Sequence, residues 1–348
     1  MASDPAVGSP DEVVDWPSAR AVASLFALGD PIGPMAPVGR ARSNRVFRLR
    51  TQGGTFAVKE RLDLGSDPGW EADLEQAWAL ELRAGEAGVS IPLPVPNPDE
   101  GGPLGWVPRL GGGADAGVRV HHWVAGSPCP PGPVSAKVAR WAGTGLARIH
   151  GLGVVPPEPA PYSRPEPPGE EAWAELVRAA EVAGVFWAPV LRPIGALVAG
   201  VRERARAAPL RPDAPVLTHG RLDQDNVVLG ARGVPFLCDW DRAGLRPPAE
   251  DLAVTALNLG AWTDFDTVRV VLGAYGAAGG PGRSLGDDEL AGVLSRYLDQ
   301  LVFNIERAVG LRPAPPEVAR RSSRAVPALI DGLGLRVEVA RRIHELLG

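Results

Sequence analysis

Along residues 35–62, MAPVGRARSNRVFRLRTQGGTFAVKERL, apolar positions come in short runs split by a glycine turn, and this pattern predicts three strands. Val46, Phe47 and Leu49 fall in the second, Gln52-Gly53-Gly54 makes the turn, and Phe56 to Val58 lie in the third. Before them, residues 1–34 mix proline, glycine and acids with one apolar stretch, ARAVASLFAL, which reads as a frayed start and a helix. After them, DPGWEADLEQAWALELRAGEAG has helical spacing, with Leu74, Trp78 and Leu82 on one face. The proline-rich IPLPVPNPDEGGP breaks that pattern. Two further strands, LGWVPRL and GVRVHHWV, flank the glycine-rich GGGADA.

Beyond AGSPCPPGP the period becomes helical, over 134–150, 170–184, 190–207, 248–276, 286–309 and about 314–346. Strands in this half are short and fall at 216–219, 226–229 and 234–240. There is no internal repeat. Sheet and helices in separate blocks predict an α+β protein of two lobes joined near residue 125. The expected division is an N-terminal extension with a helix (1–34), a sheet lobe (35–125) and a helical lobe (126–348).

Composition removes several classes. Apolar residues are 45% and charged residues 22% of the 348, enough for a globular core. The net charge is −5 and arginines are scattered among acids, so no basic stripe points to nucleic acid. Cys129 and Cys238 lack metal-ligand spacing and read as reduced thiols. No basic, apolar leader opens the chain, and no apolar run nears the ~18 residues of a membrane span, so a cytoplasmic protein is expected. The histidines form no H-E-x-x-H arrangement. Lysines number only two, Lys59 and Lys137, in a composition typical of high-GC genomes.

The scarcity of lysine makes FAVKE informative. A lysine at the end of an apolar strand has its stem anchored and its ammonium aimed along the sheet, where it can hold nucleotide phosphates. Taken alone it reads more readily as a surface lysine on an edge strand. Glu75 on the following helix is the first candidate to steady Lys59, with Glu81 the second; either can also be a solvated helix charge. Upstream, GRARSNRVF joins two strands through Ser43 and Asn44, in a turn whose N–H groups can cradle phosphate oxygens. It is no P-loop, since G-x-x-x-x-G-K-[ST] is absent.

The stronger signal is the pair THGRLDQDN and FLCDWDRAG. Asn226 and Asp239 each stand at the edge of a short strand, with a glycine turn between, so a hairpin brings an amide oxygen and a carboxylate together. Such a pair suits Mg²⁺, which takes hard oxygen ligands from one or two protein groups and from nucleotide phosphates. The plain alternative is a buried aspartate satisfied by backbone donors.

With these motifs the chain resembles the aminoglycoside phosphotransferase and choline kinase-like group, which has a protein-kinase-like fold. The match comprises Lys59, Glu75, HGRLDQDN, DWD, the VHHWVAGSP hinge, LARIHGLG and PPAEDLA, and runs from about residue 33 to 275. The resemblance implies ATP, or another nucleoside triphosphate, between the lobes, with adenine against backbone near Val120 to His122. It also implies phosphates on Lys59, Mg²⁺ on Asn226 and Asp239, and Asp251 as a buried acid supporting the catalytic loop. The expected acceptor is a small-molecule hydroxyl or a peptide, with a protein partner as a further possibility and neither nucleic acid nor membrane involved.

One position departs from the group. Where its loop carries the aspartate that takes the acceptor proton, this chain has Arg221, a guanidinium unable to act as a base. Three accounts follow: Asp223 or Asp225 takes over and Arg221 stabilises transferred charge; the chain is a nucleotide-binding pseudokinase; or only the fold is kept. Acids at 171–181 and 264–266 are candidate contacts for a cationic acceptor, or solvated helix faces.

Overall fold

A computed structural model describes residues 15–38, 44–62, 69–155, 163–208, 215–282 and 285–347. The chain forms two compact units, one from the chain up to Trp78 with Ile91–Ala125, the other from Ala79–Ser90 with Gly126 onward.

The first unit opens with α1 (Ala19–Leu25), whose N-cap Ser18 accepts the Ala21 N–H. Then come β1 (Ala36–Val38), β2 (Asn44–Thr51) and β3 (Gly54–Arg61), followed by α2 (Trp70–Glu86), which belongs to the second unit from Ala79 on, and by β4 (Pro94–Val95), β5 (Gly105–Val107) and β6 (Ala116–His122). The sheet is antiparallel in the order β1-β2-β3-β6-β4, with β5 also on β6. Alternation along β3 buries Phe56 and Val58 on one face and sets Ala57 and Lys59 on the other. The buried face, with Phe47, Leu49, Val118 and Val120, packs on Val22 and Ala23 of α1 and on its C-cap Phe26. Helix α1 is therefore part of this core, not an appendage preceding it.

Helix α2 corrects the sequence reading. Its buried stripe is Leu74, Ala77, Leu80, Glu81 and Ala84, whereas Leu82 is 39% exposed. Alanines at 77 and 84 are apolar enough to face a core, so the spacing fits two phases about 100° apart, and packing selects the other one.

The second unit begins with β7 (Gly126–Pro128) and continues through α3 (Ala136–Gly151), α4 (Glu170–Val182), α5 (Ala188–Leu191) and α6 (Gly195–Ala207). Next are β8 (Val216–Thr218), β9 (Val227–Gly230), β10 (Pro235–Leu237) and β11 (Gly244–Arg246). Helices α7 (Pro248–Leu259), α8 (Phe265–Ala277), α9 (Asp287–Val309) and α10 (Pro316–Leu347) complete it. The small sheets are β10-β9-β7 and β11-β8, so β7 and β11 add to the strands expected here. Pro193 splits the expected 190–207 helix into α5 and α6. The expected 248–276 helix also breaks: Ala261 and Trp262 take positive φ (51° and 61°), and the Asp264 side chain caps α8 by accepting from Asp266 and Thr267 N–H. Helix α3 lies close on α8, where a Cβ on Gly143 would come within 2.4 Å of the Val271 carbonyl oxygen.

Candidate active site

Strand β8 ends at Thr218 and delivers His219, fully buried, into a turn at Gly220. Gly220 has φ 77°, and a Cβ there would sit 2.2 Å from the Arg242 carbonyl oxygen, so the position takes only glycine. His219 Nε2 donates to the Cys238 carbonyl at 3.0 Å, and its Nδ1 accepts the Arg221 N–H at 3.3 Å. Burial pushes the His219 pKa down, against the opposing Cys238 bond and nearby aspartates, which fits this neutral tautomer. Its ring also meets Trp240 edge-on, with centroids 4.7 Å apart.

Beneath the loop, Asp251 on α7 is 1% exposed. Its Oδ2 accepts from Thr218 Oγ1 at 2.7 Å and from His150 Nε2 at 3.2 Å. The Tyr275 hydroxyl lies 2.8 Å from His150 Nδ1 and accepts the Gly282 N–H. Burial raises the Asp251 pKa, but His150, Arg246 and Thr218 outweigh it and bring the carboxyl to about 2. Burial pushes the Tyr275 phenol up to about 12. The sequence singled out His150 only within LARIHGLG; Thr218 and Tyr275 gave no local signal, because their function is to join elements distant in the chain.

The loop itself is closed by Arg221. Its Nε donates to Asp223 Oδ2 at 2.8 Å and its Nη2 to Asp225 Oδ2 at 3.2 Å. Burial alone would lower the arginine pKa, yet Asp223, Asp225 and Asp239 outweigh it and raise it, so Arg221 is a fixed cation. The other Asp223 oxygen, Oδ1, accepts the Asp225 N–H and caps a single 3₁₀ turn over Gln224–Asn226. Both Asp223 oxygens are thus engaged within the loop. Gln224, which the sequence reading passed over, anchors the turn by donating to the Gly132 and Asn258 carbonyls at 2.8 and 2.6 Å.

Asn226 is buried, and its Nδ2 donates to the Arg221 carbonyl at 2.8 Å, leaving Oδ1 as the acceptor end. The Cys238 N–H donates to the Asn226 carbonyl at 2.8 Å, so Asp239 follows one residue past that ladder. Asp239 takes a left-handed backbone, φ 64° and ψ 67°, which a non-glycine residue adopts at a cost of roughly 1–3 kcal/mol. One amide and one carboxylate oxygen fit Mg²⁺, which completes its shell with phosphates and water. Among the described residues no cluster of three or more His, Cys, Asp or Glu makes an all-protein metal cage.

In the first unit, Lys59 is half-buried on the sheet face away from the core, in register with Val46 and Arg119 on its neighbours. Asn44 is buried at the start of β2; Ser43 lies outside the described residues. Of the two helix acids, Glu75 is exposed and Glu81 is 1% exposed. The choice of Glu75 is corrected accordingly, since it followed from the wrong phase of α2. The expected adenine contacts at Val120 and His122 lie on a paired strand. Val120 is held between β3 and β4, and the His122 N–H donates to the Leu93 carbonyl at 2.8 Å. The Trp123 N–H is likewise used, by Thr55, so sheet pairing consumes the donors at 122 and 123. A cavity of about 280 Å³, lined by Phe26, Leu28, Gly53, Phe56, Val95 and His122, opens on the core side of this sheet, not on the Lys59 side.

The acids considered for a cationic acceptor do other things. Glu181 pairs with Arg192, Asp264 caps α8, and Asp266 is exposed beside Arg269. Among the described residues no helix is long and apolar enough to cross a membrane.

The small sheet unit with its strand lysine, and the helical unit with its His-Gly loop and Asp-Trp-Asp turn, define a kinase-like phosphotransferase fold. Residues 35–288 match the model of the phosphotransferase enzyme family, and the chain belongs to that family. No curated protein matches the chain. Among solved structures it is similar to spectinomycin phosphotransferase APH(9)-Ia in complex with ADP and spectinomycin, at 13% identity and TM-score 0.63, covering 87% of this chain and 92% of that one. It is also similar to the microcompartment-associated aminopropanol kinase, at 15% identity and TM-score 0.55, covering 94% and 98%. A third is amicoumacin kinase hAmiN in complex with AMP-PNP and Ca²⁺, at 16% identity and TM-score 0.53, covering 89% and 92%. At these identities the likeness establishes the fold.

Proposed function

We propose that this chain is an ATP-dependent phosphotransferase that binds a nucleoside triphosphate with Mg²⁺ and phosphorylates a small-molecule hydroxyl slowly, without a carboxylate base. Lys59 is assigned to the phosphates, and Asn226 and Asp239 to the metal, which supplies charge neutralisation when bound. The observation that carries this reading is Asp239, held in a strained left-handed backbone beside the Asn226 ladder. Backbone strain of that kind clusters at active sites. The nucleotides in the solved relatives, ADP and AMP-PNP, agree with it.

In the reaction the acceptor oxygen bonds to the γ-phosphorus, the bond to the bridging oxygen breaks, and the hydroxyl proton passes to water. Positioning and electrostatics carry most of phosphoryl transfer. Arg221, fixed by Asp223 and Asp225, can steady charge on the transferred group but cannot take the proton. Lack of the base costs about 10²–10⁴ in rate.

A second reading is a pseudokinase that binds nucleotide, regulates or scaffolds a partner protein, and does no chemistry. It is favoured by the engagement of both Asp223 oxygens, which weighs against Asp223 as a displaced base. ADP formation with an acceptor panel separates the two. Wild type is expected to turn over slowly, Asp239→Asn not at all, and Arg221→Asp at least about tenfold faster, toward the range a general base supplies. If wild type matches Asp239→Asn and Arg221→Asp stays inert while nucleotide binds, the pseudokinase reading stands. Loss of turnover in Asp223→Asn with nucleotide binding intact would return the base to Asp223.

A further inference from the structure

Arg336 on α10 is half-buried with its guanidinium between two aromatic rings, 4.0 Å from the Tyr297 ring centroid and 4.9 Å from that of Trp262. Other half-buried arginines of this unit have acid partners: Arg164 and Arg296 share Glu250, and Arg204 pairs with Asp287. Among the described residues no carboxylate comes within ion-pair range of Arg336. Of the five N–H donors a guanidinium offers, the protein uses one, from Nη1 to the Gly332 carbonyl at 3.0 Å. Burial pushes its pKa down, with only the Tyr297 phenol opposing, yet a guanidinium stays charged.

Stacking between rings holds a guanidinium while leaving its in-plane edge for bidentate bonds to an oxyanion. The surroundings are arranged for this. A Cβ on Gly332 would fall 2.3 Å from the Tyr297 hydroxyl and 2.6 Å from Arg336 Nη1, so glycine makes the room both groups occupy. The Tyr297 hydroxyl donates to the Leu329 carbonyl, fixing that wall. Trp262, at positive φ, donates from Nε1 to Asn258 Oδ1 at 2.9 Å. The Asn258 carbonyl in turn accepts from Gln224 of the catalytic loop. The cation is thus coupled by two hydrogen bonds to the loop where transfer would occur.

We propose that Arg336, with Trp262 and Tyr297, is an oxyanion-binding subsite for the acceptor, which carries a carboxylate or phosphate group besides the hydroxyl to be phosphorylated. The acceptor assignment rests on the phosphotransferase reading; anion binding at the clamp does not. The test is calorimetric titration of the full chain, held with a non-hydrolysable ATP analogue and Mg²⁺, with inorganic phosphate and separately with acetate. Saturable binding is expected, weakened at least tenfold in Arg336→Met and less in Arg336→Lys, which keeps the charge but loses the planar fork.

Tighter phosphate than acetate would assign a phosphorylated acceptor, and the reverse a carboxylate. A response equal to that of chloride at matched ionic strength, or unchanged affinity in Arg336→Met, would overturn the subsite. Should Arg336→Met fail to fold, Arg336→Lys decides by the same criterion. If the analogue does not bind at all, the phosphotransferase reading fails by itself, and the same titrations on the nucleotide-free chain still decide the clamp.

Discussion

Two buried histidines tie the His-Gly loop and the strand before it into the second unit. His219 donates to Cys238 and accepts from the Arg221 N–H, while His150 bridges Tyr275 and Asp251. Asp251 is the anionic member of this buried set, and its pKa of about 2 lies below the ordinary 3.8. A depressed carboxyl stabilises the fold above the unfolded-state value and loses that contribution as pH falls through the folded value. Here the contribution is on the order of 2 kcal/mol at neutral pH, fading between about pH 4 and pH 2. Urea unfolding of wild type against Asp251→Asn should therefore show a gap at pH 7 that narrows across that window. A gap independent of pH would mean the charge is not what Asp251 contributes. At this scale the sequence exposed Asn226, Asp239 and Lys59, because their residue types and flanking strands are local. It missed Gln224, whose two carbonyl partners, at 132 and 258, lie far off in the chain.

Helix α2 shows what periodicity leaves open at the level of an element. Leu74, Trp78 and Leu82 make one apolar stripe and Leu74, Ala77, Leu80 and Ala84 another, and the structure buries the second. Leu80 is fully buried and Leu82 is 39% exposed, so truncating them should differ sharply. Leu80→Ala should cost about 2–5 kcal/mol as a core cavity, and Leu82→Ala less than about 1 kcal/mol. Chemical denaturation of the two variants checks this; equal losses would restore the sequence-derived phase. The same choice of phase moves the buried acid from Glu75 to Glu81. The break after α7 was equally hidden, since GAWTD contains no proline and its glycine can sit in a helix. Residues 261 and 262 hold positive φ with help from side-chain contacts, the Trp262 bond to Asn258 and its stacking on Arg336.

At the scale of the whole molecule, the proposed function makes a thermodynamic prediction. If Lys59 in the first unit and Asn226 and Asp239 in the second serve the same nucleotide, stability must rise with nucleotide as RT ln(1 + [L]/Kd). At a hundredfold excess over Kd the gain is about 2.7 kcal/mol. For a chain of this size that corresponds to a Tm rise of a few degrees, read by thermal unfolding with ATP and Mg²⁺. Lys59→Met and Asp239→Asn should each remove the rise without lowering the Tm of the nucleotide-free chain by a comparable amount, and chelating the divalent cation should shrink it. A chain indifferent to millimolar nucleotide would keep the family fold and lose the proposed function.

The family fold was legible from the sequence because its signals are contiguous: alternation along a strand, a glycine turn, a histidine-glycine loop and an acid after an apolar run are each fixed by neighbours a few residues apart. Arg221 was legible for the same reason. The partners of that arginine, the acid that α2 buries, the adenine-side donors consumed by sheet pairing, and the stacked Arg336 were decided only in tertiary structure. Each depends on groups brought together from distant parts of the chain, and burial and hydrogen bonding, not local propensity, chose among arrangements the sequence left nearly equal.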